Sequence, residues 1–183
     1  MTAVISGDTG IDLVQDGAIG TADLANGAVT PAKTQVGALP SMVKVNTHTG
    51  YGSTNTRIRI FTNNTNGVNG CVIQGSDITY ATSATLGDTF TTNANGTYAI
   101  STNFSAATDT NQGISLNSTQ LSTDISAISV ADRLTSWRVP TPNNNAGATW
   151  VGYLPAGSVI RAHGDAVSAN VNALSQFTIV RVA

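Results

Sequence analysis

The sequence predicts an all-β fold, an antiparallel sandwich carried behind a short N-terminal segment of small residues. Three observations lead there. Charged residues make up 10% of the chain, against roughly 25% in an average soluble domain. All ten acidic residues are Asp, and lysine occurs only at Lys33 and Lys44. Glu and Lys favour exposed helix faces, so a chain that fills its polar positions with Thr, Asn and Ser suits strand faces and turns. From residue 41 onward, apolar and polar residues alternate in short runs divided by turn dipeptides, which is the pattern of many short strands.

The first forty residues differ from the rest. Gly-Ala returns every ten residues, at Gly17-Ala18, Gly27-Ala28 and Gly37-Ala38, each time followed by an apolar residue. A stretch this poor in large side chains encloses no core of its own, so it must be buried against neighbouring copies or a partner surface. Thr21 is placed to cap a turn over residues 22–25 that Asn26-Gly27 ends, and Thr30-Pro31 starts a second. Such turns are far shorter than the ~12 residues an isolated helix needs, so packing must hold them. Ile11, Leu13, Ile19, Leu24, Val29 and Leu39 are the candidate docking or stalk contacts. The boundary falls near Leu39-Pro40, giving an attachment or stalk segment at 1–40 and a head domain at 41–183.

Within the head, Met42–Asn46 and Arg57–Phe61 alternate; in the second, Ile58 and Ile60 face opposite to Arg57 and Arg59. Asn66-Gly67, Asn69-Gly70 and Asn95-Gly96 are hairpin-type dipeptides. Gly96–Phe104 puts Tyr98, Ile100, Thr102 and Phe104 on one face. Leu121, Ile125 and Ile128 have helical spacing, but among Ser, Thr and β-branched residues they read as strand or irregular structure. Trp150–Leu154 and Ser158–His163 flank the turn Pro155-Ala156-Gly157, and Gln176–Val182 is the closing strand. Many short strands at this spacing form an antiparallel sandwich.

The run Gly87-Asp88-Thr89-Phe90, followed by Asn95-Gly96-Thr97-Tyr98-Ala99-Ile100-Ser101, resembles the central signature of tumour-necrosis-factor/complement-type jelly-roll heads. Tyr153-Leu154-Pro155-Ala156-Gly157-Ser158-Val159-Ile160 resembles their penultimate hairpin, with Ser158 in place of the usual Asp, and Gln176–Val182 their closing strand. The resemblance covers roughly residues 41–183 and implies a jelly roll and a homotrimer. Gly10-Ile11-Asp12 through Lys33 is similar to segments of bacteriophage tail-fibre and other virion appendage proteins, which share an Asp-Gly-Ala-apolar, Ala-Asp-Leu-Ala, Gly-Ala-Val-Thr, Ala-Lys pattern. Together the two resemblances imply a phage structural protein.

Motifs of chemistry are sparse. A net charge of −2, with scattered arginines, leaves no footprint for nucleic acid or anionic membrane. No apolar run is long enough to insert into a membrane, and MTAVISGDTG lacks the basic and apolar regions of a secretory signal. Four sequons beginning at Asn63, Asn95, Asn103 and Asn117 read as products of an Asn- and Thr-rich composition. Cys71 stands alone, which excludes an internal disulfide or a cysteine zinc cluster, and reads as a buried, inert thiol.

His48 and His163 are the chain's two histidines and read as surface or interface residues. His163-Gly164-Asp165 supplies half of a metal or acid–base pair without a marked nucleophile. A glycosidase would need two Asp residues, and no pair is marked. Asp8, Asp12 and Asp16 recur without a calcium-loop pattern and read as solvated acids. The glycines near them form no phosphate loop. Trp150 alternates within a strand and reads as core. Trp137 with Arg138, ahead of the loop Pro140–Gly147, is the candidate surface contact for a ligand.

The expectation is therefore a non-enzyme without cofactor or metal. It would be a short trimeric fibre at the virion surface, docked by residues 1–40 to other virion proteins of capsid or tail. Its knob would be free to bind a host cell-surface glycan or protein. The alternative is a capsid decoration or head-fibre protein that coats or stabilises the head.

Overall fold

The computed structural model describes residues 40–106, 110–139, 144–164 and 172–183. Ile11, Leu13, Ile19, Leu24, Val29 and Leu39, the sequence-based docking contacts, lie outside them, as does Asp165. The described residues fall within one compact unit, Leu39–Ala183.

The strands are β1 (Met42–Tyr51), β2 (Arg59–Asn63), β3 (Val72–Gln74), β4 (Ile78–Ala81), β5 (Thr89–Thr92) and β6 (Gly96–Ala106). They continue with β7 (Thr110–Leu116), β8 (Arg133–Val139), β9 (Asn144–Ala146), β10 (Thr149–Leu154), β11 (Val159–Gly164) and β12 (Asn172–Arg181). Two antiparallel sheets result. The first runs β10-β6-β12-β1-β2, with β3 also on β1 and β9 on β6; the second runs β4-β5-β11-β7-β8. Successive strands repeatedly cross between the sheets, which is jelly-roll topology, and the all-β prediction holds. The only helical piece among the described residues is a 3-10 turn at Val130–Asp132.

Alternation puts one face of each sheet into a shared core. Val43, Val45, Tyr98, Ile100, Phe104, Phe177 and Ile179 come from the first sheet and Ile78, Phe90, Ile114, Ile160 and Ala162 from the second, all nearly inaccessible. Phe90 stacks on Phe177 at 4.2 Å between centroids, and Phe61 lies 6.5 Å from Phe177 and 6.3 Å from Phe104. Each such ring contributes about 2 kcal/mol through burial, plus a smaller term from the ring pairs.

The turns follow their chemistry. Asn69 (φ 49°) and Gly70 (φ 73°) both take positive φ, and Cys71 N–H closes the turn on Val68 O, as a type I′ hairpin turn requires. Gly157 (φ 85°) follows Pro155-Ala156 where a type II turn needs left-handed backbone. Gly87-Asp88 also has a physical reason. A side chain at Gly87 would collide with Ile58, and the Asp88 carboxylate accepts Phe61 N–H at 2.8 Å and Tyr80 O–H at 2.6 Å. Asp88 thereby ties β2 to the β4–β5 hairpin.

Two strand readings change. In the Arg57–Phe61 stretch, Arg59 and Phe61 are the core-facing residues of β2, while Ile60 is half-exposed. In β1 the inward phase runs Val43, Val45 and then His48, because the register shifts between Asn46 and His48 with Thr47 at φ 62°. Such a bulge turns the following side chain to the opposite face, and a positive φ at a β-branched residue is strained. His48 is therefore buried at 1% exposure, which corrects its reading as a surface residue. Asn63 Nδ2 donates to Thr47 Oγ1 and Thr62 Oγ1 to Thr47 O, holding the bulge.

Candidate functional site

Since the core-facing sides are filled, function must lie on the outer faces and the loops. The outer face of the first sheet carries rows set by strand register. One row reads Val151, Ala99, Val180 and Met42; the next reads Thr149, Ser101, Thr178 and Lys44. Tyr153 stands opposite Thr97, to whose carbonyl Val182 N–H also binds. Val151 is 60% exposed, Tyr153 64% and Val182 56%. Lys44 is the one charged residue among these positions. These rows thus carry a single charge, and at Val151, Tyr153 and Val182 they expose apolar side chains, a feature of interaction surfaces.

The part of the second sheet's outer face formed by β7 and β11 is covered by the chain itself. Residues 117–132 cross it as a strap of turns, corresponding to the stretch read as strand or irregular structure. Ile125 and Ile128 are buried, at 0% and 3% exposure. Ile125 presses on Gly113 of β7, where an added Cβ would lie 2.6 Å from Ile125 Cγ1 and from Thr135 O. Beneath the strap, Ser115 and His163 are fully buried although their side chains point away from the sandwich interior.

The strap is held largely through its own carbonyls. His163 Nε2–H donates to Thr123 O at 2.7 Å, and Arg57 N–H to Leu121 O at 3.2 Å. Arg133 reaches Ile125 O and Ser126 O, each at 3.3 Å. At its start, Asn117 N–H donates to Val159 O, and Asn117 Oδ1 accepts Val159 N–H. His163 is accordingly a buried fastener, not a surface residue, and burial lowers its pKa.

A second polar group sits inside the sandwich. Arg59, 1% exposed, donates to Gln112 Oε1 at 2.8 Å and to Ser105 O at 3.3 Å. Its guanidinium lies 4.6 Å from the Phe104 ring centroid and 5.4 Å from that of Tyr51. Gln112 Nε2 donates on to Thr110 Oγ1, and the His48 ring meets Tyr51 edge-on at 5.0 Å. Burial, helped by the charge of Arg59, lowers the His48 pKa to about 3. This cluster pins β2 and β6 of the first sheet to β7 of the second. It offers no exposed nucleophile or base.

Trp137 does not form the surface platform expected of it. It pairs with Gln112 on the inward face of β8 and packs against the core, its ring 5.5 Å from Phe104. Its neighbour Arg138 is exposed on the other side of the strand. Alternation explains the difference, since adjacent residues of a strand face opposite ways. Trp150 packs against the core, as read. Cys71 is buried at 1% exposure, which raises its thiol pKa. No group of three or more His, Cys, Asp or Glu side chains placed to hold a metal ion occurs among the described residues.

The chain matches no protein-family model and no curated protein. Among solved structures it is similar to murine APRIL at pH 8.0, with a TM-score of 0.55 and 11% identity over 79% of this chain and 100% of that one. Murine APRIL at pH 5.0 gives a TM-score of 0.54 and 12% identity over the same shares. Pika GITRL gives 0.44 and 12% identity over 79% of this chain and 96% of that one. The likeness to the APRIL structures shows the fold, a tumour-necrosis-factor-type jelly roll, as the motifs around Gly87, Tyr98 and Gly157 implied.

Proposed function

We propose that this chain is a non-enzymatic, self-assembling binding module whose heads form a homotrimer through the outer face of the first sheet. The open, sparsely charged face bearing Val151, Tyr153 and Val182 carries this reading. Hydrophobic surface of this kind is stabilised by burial at about 25 cal/mol per Å², and Lys44 is the sole charge on its rows to oppose close approach. Residues 1–40, with their Gly-Ala recurrence, supply the attachment or stalk segment. Their similarity to phage appendage segments supports a place at the virion surface, as a short fibre exposing the knob to a host glycan or protein. Three copies of a weak site on one rigid knob gain avidity toward repeated epitopes.

Sedimentation equilibrium of the full-length chain tests the assembly. Three chain masses are expected, and a monomer at micromolar concentration overturns it. Gold-labelled antibody against residues 41–183, applied to intact particles, tests the location. Label at the tail supports the host-attachment fibre and label over the head the decoration protein; unlabelled particles remove the virion reading.

A further inference from the structure

The strap over the second sheet is fastened at its centre by a titratable group whose surroundings favour its neutral form. Carbonyl oxygens accept and never donate, so the 2.7 Å contact with Thr123 O fixes the proton of His163 on Nε2. The other ring nitrogen, Nδ1, is buried and has no hydrogen-bond partner among the described residues. Among the described residues, the charged and hydrogen-bonding groups around the ring come from four elements. β11 supplies Arg161, and the segment entering β2 supplies Arg57, both cationic. The strap supplies Asp124, and β7 supplies Gly113 and Ser115, which are uncharged. Arg133 of β8 is engaged with the strap carbonyls of Ile125 and Ser126.

A proton added at Nδ1 creates a buried N–H without an acceptor and a cation facing two guanidiniums and one carboxylate. The orphaned N–H and the loss of hydration disfavour the closed strap, whereas a lifted strap lets water solvate the imidazolium.

The geometry points to an acid-released latch: protonation of His163 lifts residues 117–132 and uncovers the strip of the second sheet around Gly113 and Ser115. Burial, the larger influence on the ring, and the nearby arginines act in this direction; the Thr123 hydrogen bond and Asp124 oppose it. Release would expose Ile125 and Ile128 together with the polar strip of sheet they cover, a surface that is open only in acid. His48 takes no part in this step, because it lies on the inner side of β1 and stays neutral down to about pH 3.

The size of the effect follows from linkage. With an ordinary histidine pKa in the open state and a lowered one in the closed state, the opening constant rises as pH falls from 7 to 5, by at most roughly 25-fold, the limit for a ring that stays neutral while closed. Native-state hydrogen exchange on the full chain, corrected for the intrinsic pH dependence of exchange, reads this directly. The amides of residues 117–132 should lose protection by up to that factor, while those of β6 and β12 keep theirs.

His163→Gln retains a donor for Thr123 O but cannot titrate, so its strap protection should not change between the two pH values. An equal pH response in the variant and the parent overturns the proposal. So does an unchanged strap in the parent, or strap and core strands losing protection together. Should the variant not fold, NMR titration of the parent decides. The His163 ring resonances and strap amides shift with one midpoint if the latch exists, and with different midpoints if it does not.

Discussion

The two sheets present their outer faces in opposite ways. The second sheet puts Gly113, Ser115, Arg161 and His163 outward and covers them with residues 117–132 of the same chain. The first puts Val151, Ala99, Val180 and Tyr153 outward, and among the described residues Val151 and Tyr153 stay exposed while Ala99 and Val180 are half-exposed. The covered face is polar underneath and sealed by two isoleucines; the bare face is apolar and almost uncharged. The chain spends sixteen residues on capping one sheet, and no described residue caps the other. Second copies of the same face are the simplest cover.

The sharpest way to break the comparison is to put charge on the bare face. Val151→Asp with Tyr153→Asp buries no new group in the monomer, since both sites are exposed. Like charges brought together in an interface are strongly unfavourable. Native mass spectrometry should show one chain where the parent shows three, with the strand signal in circular dichroism unchanged.

Acid comes next. The His48 pKa is about 3 in the fold and near 6.5 in the unfolded chain. The unfolded state therefore binds the extra proton first. The stability His48 contributes is fully present above about pH 6.5 and is lost as pH falls toward 3, to a total on the order of 4 kcal/mol. Asp88 works with the opposite sign at the low end, because burial raises its pKa and favours the fold while it is protonated. Urea midpoints measured across this range should fall with acid, and less steeply in His48→Gln.

The strap gives smaller numbers. Ile125→Ala removes the plug over Gly113 and should cost about 3 kcal/mol in urea unfolding. Gly113→Ala pushes a methyl into Ile125 and the Thr135 carbonyl and should cost about 2 kcal/mol. Val130→Asp lies on the same strap at 75% exposure and should change stability by less than about 0.5 kcal/mol, with the assembled mass retained. A large effect there would mean that the strap face, too, is covered in the assembly.

Much of this was legible in the sequence. Scarce Glu and Lys, the Asn-Gly turns and the alternation in Gly96–Phe104 gave the class and one central strand, and Tyr98, Ile100, Thr102 and Phe104 all face inward. What escaped depends on pairing between distant strands. The bulge at Thr47 reverses the phase of β1, and nothing local in Asn46-Thr47-His48 announces it. Arg59 is inside because Gln112, Ser105 and the Phe104 ring, all far away in sequence, join Tyr51 in giving the guanidinium partners. His163 is outward by alternation and buried only because the strap returns over it. Trp137 reads as exposed beside Arg138, yet in a strand only one of two neighbours faces out. The bare face was visible only in fragments, since Val151, Ala99 and Val180 become one row only through register.

Hydroxyl-radical footprinting of the full-length chain tests the central claim most directly. Oxidation of Tyr153 and Met42 should be much slower in the parent than in Val151→Asp, while exposed Leu86 and Val68 react equally in both. Equal rates at Tyr153 in the two proteins would mean that the bare face stays bare, and would contradict the account.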